Sequence, residues 1–256
     1  MRRSNAEYAK VINLVARGLN DCQIARASGI PRSTVRDWRC GQTTRRHADS
    51  RKACPRCRAP EHDFGSLPRT SYAYLLGMYL GDGDISEYPR TQRLRISLDM
   101  GWPGIIASCA EAMRAVFPEN RVAHLRPDPR SRCAVVSVYS NQIACLFPQH
   151  DAGPKHLRRI ELTDWQDELV REEPEQFIRG LIHSDGCRFV NRVHVGGKTY
   201  EYPRYNFTNA SDDIRDLFSA TCDQLGVEWR RMNRRNVSVA RRDSVARLDQ
   251  FVGPKR

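Results

Sequence analysis

Two ten-residue stretches, about a hundred residues apart, constrain this chain more than any other feature. The first is Tyr74-Leu75-Leu76-Gly77-Met78-Tyr79-Leu80-Gly81-Asp82-Gly83, and the second is Phe177-Ile178-Arg179-Gly180-Leu181-Ile182-His183-Ser184-Asp185-Gly186. Each is an apolar helical run that ends in an acid and a glycine. Gly77 and Gly81 stand four apart and share one helix face, as do Gly180 and Ser184. Such small faces let two helices pack backbone to backbone, closer than the usual ~8–10 Å. The closing glycines, Gly83 and Gly186, predict a left-handed residue just past each helix end. The acid before each glycine sits at the negative end of the helix dipole, which costs roughly 0.3–1 kcal/mol. If the helices pair in parallel, two carboxylates also meet, and like charges resist that. A divalent cation between them removes both objections.

These stretches resemble the paired motifs of the LAGLIDADG homing endonucleases. Residues 75–83 and 178–186 match the nonapeptide register, with Asp82 and Asp185 falling on the catalytic acid. The resemblance implies an α+β fold, a pseudo-twofold αββαββα repeat with the motif helices at its axis and saddle-shaped sheets along duplex DNA. It also implies a monomer, because both halves lie in one chain.

Charge is distributed in a way that suits such a partner. The chain of 256 residues carries a net charge of +12. Residues 1–60 hold 14 basic and 4 acidic side chains and residues 229–256 hold 9 and 2, so the middle is net acidic. Two basic ends on an acidic middle point to a polyanion gripped at both ends. No secretory signal is legible, since Asn13 and Arg17 interrupt the first apolar run, and no stretch is long enough to span a membrane. Nine cysteines, an odd number and mostly scattered singly, predict small buried hydrophobes in a reducing compartment. The expected location is the cytoplasm, on the nucleoid when DNA is bound.

The chain predicts three segments: a helix-turn-helix domain at 1–41, a basic linker at 42–70, and the two-repeat domain at 71–256. In the last, the halves are 71–156 and 175–256, joined by a connector at 157–174. Within the first segment Val11, Ile12, Leu14, Val15 and Leu19 give one helix an apolar face that Gly18 closes. Asn20 caps a second helix with Ile24 and Ala25 inward. Pro31 suits the first position of a third, which buries Val35 and Trp38 and leaves Arg32, Ser33, Thr34, Arg36 and Arg39 open. This segment resembles the helix-turn-helix of resolvases and transposases, in which the third helix meets base edges in the major groove. In the linker, Cys54-Pro55-Arg56-Cys57 has zinc-knuckle spacing, with His62 as a third ligand and Cys40 or His47 as the fourth. Two free thiols in a loop are the plain alternative, so Zn²⁺ here is a possible structural ion.

In the repeat, each half reads helix, two strands, helix, two strands, helix. The first half has a strand at 94–98, a helix at 105–117 and a hairpin at 121–126 and 134–139 over Pro127 and Pro129. The second has strands near 187–195 and 202–208, a helix at 211–225, a hairpin at 228–241 and a helix at 243–252. Both halves end alike, in Gly153-Pro154-Lys155 and Gly253-Pro254-Lys255. Trp165 and Leu169 mark the inner side of the connecting helix.

Phosphodiester hydrolysis needs an activated water, charge stabilisation at phosphorus and help for the leaving oxygen, which carboxylate-held metals supply. Mg²⁺ fits a site of two acids, Asp82 and Asp185, completed by phosphate oxygens. By the family resemblance Lys155 and Lys255 approach the metal and polarise the water or the phosphate; solvated surface lysines are the alternative. Arginines on the strands, Arg93, Arg95, Arg132, Arg204, Arg230 and Arg234, face DNA, while Glu87, Asp99 and Glu201 are awkward beside phosphate. Two functions follow. One is a metal-dependent, site-specific DNA endonuclease with a helix-turn-helix extension. The other is a DNA-binding transcriptional regulator that keeps the fold without cleavage, as in sporulation regulators that resemble this chain.

Overall fold

The computed structural model describes residues 4–40, 54, 56, 57, 59, 62–126, 130–253 and 255. The chain divides into two units, Met1–His62 and Asp63–Arg256. His47 and the basic run at 41–53 lie outside the described residues, as do Pro127 and Pro129.

Local signals set the first unit. Helix α1 (Asn5–Ala16) starts at a reciprocal capping box between Ser4 and Glu7. Helix α2 (Asp21–Ser28) starts at Asn20, whose side chain accepts from the Cys22 and Gln23 amides, and stops at Gly29 with φ +72°. Helix α3 (Arg32–Arg39) follows Pro31, which is the residue before the helix rather than its first turn. The three pack around Val11, Ile24, Ile30, Val35 and Trp38, with Tyr8 edge-on to Trp38 at 5.2 Å. Ile12, expected on the inner face, is 37% exposed, because the stripe through Tyr8, Val11 and Val15 leaves position 12 turned away.

The second unit is built on α4 (Arg69–Asp82) and α8 (Pro174–Asp185), the two motif helices. They run in parallel and touch by their backbones. A methyl group on Gly77 would lie 2.5 Å from the Phe177 carbonyl oxygen, and one on Gly180 would lie 2.2 Å from that of Tyr74. One on Gly81 would lie 2.1 Å from the Ser184 hydroxyl. The predicted small faces therefore meet each other, and no residue larger than glycine fits at 77 or 180 without parting the helices.

The closing glycines correct an expectation. Gly83 (φ −84°, ψ 149°) and Gly186 (φ −105°, ψ 165°) are extended, not left-handed. They are glycine for room: an added methyl would sit 2.5 Å from Tyr79 Cα and 2.7 Å from Ile182 Cα, respectively. Each motif helix passes directly into a strand, and the chain must fold back tightly against the last helical turn. Left-handed glycines occur elsewhere, among them Gly153 (φ +81°) and Gly253 (φ +73°) in the repeated tails.

From Gly83 the first half continues as β1 (Gly83–Tyr88), β2 (Thr91–Asp99), α5 (Pro103–Val116), β3 (Ala123–Leu125), β4 (Cys133–Ser140) and α6 (Ile143–Leu146). Helix α7 (Asp164–Glu172) is the connector, with Leu169 buried and Trp165 stacked on Phe64 at 4.1 Å. The second half, after α8, is β5 (Gly186–Val195), β6 (Lys198–Thr208), α9 (Asp212–Gln224), β7 (Arg230–Arg231), β8 (Asn236–Val239) and α10 (Arg242–Asp249). The sheets are antiparallel, in the matching orders β1-β2-β4-β3 and β5-β6-β8-β7. The fold is α+β with the expected twofold repeat. Strand residues of one parity, Leu94, Ile96, Val136 and Val138 in one sheet and Tyr205, Phe207, Val237 and Val239 in the other, join the motif helices in one core. The opposite faces expose residues such as Asp84, Ser97, Tyr139, Phe189 and Tyr202, with Val135, Ser137 and Ser238 buried at their centres.

Four cysteines, Cys57, Cys109, Cys145 and Cys222, are buried, whereas Cys22, Cys40 and Cys187 are exposed. The expectation of mostly buried thiols therefore holds for fewer than half.

Candidate metal centre and nucleic-acid faces

The helix crossing decides where the acids go. Asp82 and Asp185 each end a motif helix, and a methyl on Gly81 would stand 3.1 Å from Asp185 Oδ2. Both are only partly accessible. Burial pushes Asp82 up to about 6, the Asp185 charge adds to this, and Lys255 and Lys155 oppose it. Burial also raises Asp185, against the Asn209 hydrogen bond and the two lysines. Two crowded carboxylates that resist ionisation, with oxygen donors only, fit a hard divalent cation.

Both repeated lysines lie within electrostatic reach of Asp82 and Asp185, in different states. Lys155 Nζ donates to the carbonyls of Tyr79, Leu80 and Gly81 at 2.5, 2.9 and 2.9 Å. All three of its protons are thus directed at the C-terminus of α4, where a cation offsets the dipole. Burial lowers Lys155 to about 8, with both acids pulling the other way. Lys255 is half-buried, makes no hydrogen bond among the described residues, and is lowered by burial against Asp82, Cys187 and Asp185.

Two further residues carry no sequence signal. Asn209 Nδ2 donates to Asp185 Oδ2 at 2.6 Å. His183, inside α8, has Nε2 2.9 Å from the Val252 carbonyl and Nδ1 2.9 Å from the Tyr74 hydroxyl. A carbonyl only accepts, so Nε2 carries the proton and Tyr74 donates to Nδ1. Burial lowers His183 to about 4. This neutral histidine ties down the tail three residues before Lys255.

The predicted arginines divide by face. Arg93, Arg95, Arg204 and Arg230 have the strand parity of the open faces. Arg95 is paired with Asp84. Arg93 donates to Ser137 at 3.1 Å and lies over Tyr139. Arg132 is 81% exposed and 3.8 Å from Asp99. Arg234 is exposed in the turn between β7 and β8. Of the awkward acids, Glu201 pairs with Arg192 at 2.8 Å on the parity opposite Arg204, and Glu87 lies 3.8 Å from His150.

In the first unit Arg32, Ser33, Arg36 and Arg39 are exposed on α3 and Thr34 is half-buried; Arg39 pairs with Asp21 at 3.0 Å. Cys54, Cys57 and His62 bring their ligand atoms within 4.8 Å of one another, with Cys57 Sγ 3.5 Å from His62 Nε2. The Ala59 amide donates to Cys57 Sγ at 3.4 Å. Three soft or borderline donors at this spacing fit Zn²⁺. Cys40, one of the two expected fourth ligands, is exposed at the end of α3 and lies outside this group.

A family model described as a homeodomain-like domain matches residues 8–49. No curated protein matches the chain. Among solved structures, a mesophilic variant of the homing endonuclease I-DmoI is similar with TM-score 0.49 and 16% identity, over 72% of this chain and 96% of that chain. I-DmoI in complex with DNA and Mn gives 0.48 and 16%, over 72% and 97%. The LAGLIDADG meganuclease I-AabMI bound to uncleaved DNA gives 0.45 and 11%, over 70% and 82%.

Proposed function

We propose that the chain binds duplex DNA site-specifically and hydrolyses it as a monomer, with a divalent cation, Mg²⁺ in the cell, held by Asp82 and Asp185. The observation that carries this reading is the delivery of one carboxylate from each half to a shared helix crossing, where both are pushed toward the protonated form. A bound cation would supply the charge that ionises both acids, activates water and stabilises the leaving oxygen. Asn209 holds one Asp185 oxygen, leaving the other for the cation. Lys155 holds the end of α4 and thereby the position of Asp82. Lys255, whose ammonium makes no hydrogen bond among the described residues, orients a phosphate oxygen. Arg93, Arg95, Arg204, Arg230, Arg132 and Arg234 hold the duplex on the open faces, and α3 extends the site through Arg32, Ser33, Thr34, Arg36 and Arg39. Support for the last comes from the homeodomain-like match and the basic excess at 1–60.

A second reading, a DNA-binding regulator without cleavage, is favoured by one observation. The Lys155 ammonium is directed at carbonyls rather than outward. Incubation with a genomic plasmid library decides between them. The expected result is discrete cut ends in Mg²⁺ and uncut, footprinted sites in Ca²⁺. Footprints without cuts in either ion would establish the regulator.

A further inference from the structure

The two sheets differ most at their first hairpins. In the first half Gly83 pairs with Ile96, and in the second Gly186 pairs with Phe207, so the β5–β6 hairpin is longer by eight residues. Strand β8 pairs with β6 only from Tyr205 to Thr208. The hairpin beyond, 187–204, is a two-stranded ribbon projecting past its sheet.

Its register sorts its side chains. The covered parity holds Tyr205 in the core and Arg188, which forks onto Asp249 of α10 at 2.7 and 2.9 Å. The open parity holds the cross-strand pairs Phe189 with Arg204, Asn191 with Tyr202, and Val193 with Tyr200. Phe189, Val193, Tyr200 and Tyr202 are 41, 37, 44 and 49% exposed, an unusual concentration of large apolar surface on one face. The ribbon's one acid, Glu201, is on the opposite parity, ion-paired with Arg192. The open face therefore carries cations and no carboxylate, which suits a polyanion. The matching hairpin of the first half differs, with Arg93, Arg95, Asp84 and Ser86 on its open face and one exposed aromatic, Tyr88, at its tip.

Resting on the DNA-binding reading above, we propose that this ribbon face selects A·T pairs in the major groove, so that the target has one A·T-rich arm. A two-stranded ribbon fits that groove, which is also the only one that displays the thymine methyl. Phe189 and Val193 bury thymine methyls, and Asn191 matches the adenine N6/N7 pair. Arg204 meets the flanking phosphate. Arg93 and Arg95 on the other hairpin match guanine instead, which makes the two arms chemically unequal.

The test selects duplexes from a random library with the full chain in Ca²⁺, then replaces thymine by deoxyuridine in each arm of a selected site. The expected result is A·T enrichment in one arm and a loss of about fourfold in affinity per buried methyl removed there, with no loss in the other arm. V193S, at an exposed position that leaves the core untouched, should abolish that penalty, and N191A should relax the adenine preference. Selected duplexes with no A·T-rich arm, or equal indifference of both arms to deoxyuridine, would overturn the inference while leaving DNA binding intact. Retention of no duplex at all would overturn both. Self-association lost in V193S would mean that a second copy of the chain, not DNA, covers the ribbon, and would also overturn the inference.

Discussion

Asn209 donates a 2.6 Å hydrogen bond to Asp185, and the position two residues past the glycine's strand partner in the other half is Leu98, which gives Asp82 nothing. The acid pair is symmetric in backbone and asymmetric in support. Replacing Asn209 by Leu, the residue its own repeat uses, should remove a bond to a charged group worth about 1.5–3 kcal/mol. One strand should then be cut roughly tenfold or more slowly than the other, with nicked duplex accumulating. The pH midpoint of the slow cut should also move up, because Asp185 loses a group that favours its charge. Equal slowing of both strands with an unmoved pH profile would remove Asn209 from the mechanism.

Neutralising either acid, by Asp82→Asn or Asp185→Asn, keeps size and removes charge. Relief of repulsion and of the dipole penalty should leave the metal-free protein as stable or more stable by about 1 kcal/mol. Gel shifts in Ca²⁺ should persist and cleavage in Mg²⁺ should vanish for each variant separately. A drop of several degrees in melting temperature for both would show that the acids are structural caps.

Asp82 also predicts a pH dependence. Its pKa is raised from 3.8 to about 6 in the folded chain, so the folded state holds its proton more tightly than the unfolded state. Ionisation then costs stability, with no penalty below about 4 and the full penalty above about 6. His183, lowered from 6.5 to about 4, acts in the opposite sense: its contribution is complete above about 6.5 and lost as pH falls toward 4. The difference between wild type and Asp82→Asn isolates the first effect. Metal-free melts should show the variant gaining relative to wild type as pH rises from 4 to 7. A pH-independent difference would refute the shift.

Cys54, Cys57 and His62 should bind one zinc per chain. Elemental analysis of protein purified without chelator measures it, and Cys57→Ser should lose the metal. Less than about a tenth of an equivalent, unchanged in the variant, would mean free thiols.

Arg32→Ala and Arg36→Ala should weaken binding at one end of a long footprint, because α3 belongs to a unit separate from the acid pair. Affinity should fall less steeply with salt, by about one unit of slope per lost phosphate contact. Loss of protection along the whole site would contradict modularity.

Much of this was legible in sequence because it is local or periodic. The spacings Gly77/Gly81 and Gly180/Ser184 announce a helix crossing, since a four-residue step fixes a face whatever surrounds it. The tails ending in Lys155 and Lys255 announce a repeat. Capping residues such as Asn20 act within one turn, so their helix starts could be read from neighbours alone.

The rest depends on atoms far apart in the chain. Whether Gly83 is glycine for handedness or for room turns on where Tyr79 lies once α4 meets β1, and that is a matter of packing. Nothing local in Gly153-Pro154-Lys155 says where its ammonium goes, and only the fold turns its three protons to the carbonyls of Tyr79, Leu80 and Gly81. Asn209 and Leu98 stand 24 and 16 residues after their acids, because the hairpins differ in length, so no repeat alignment pairs them. The sequence by itself determined the two helices, their small faces and the acids at their ends, through propensity and period. The tertiary structure decided which lone pairs and protons at that junction are already engaged, because hydrogen bonds across a hundred residues exist only once the core has closed.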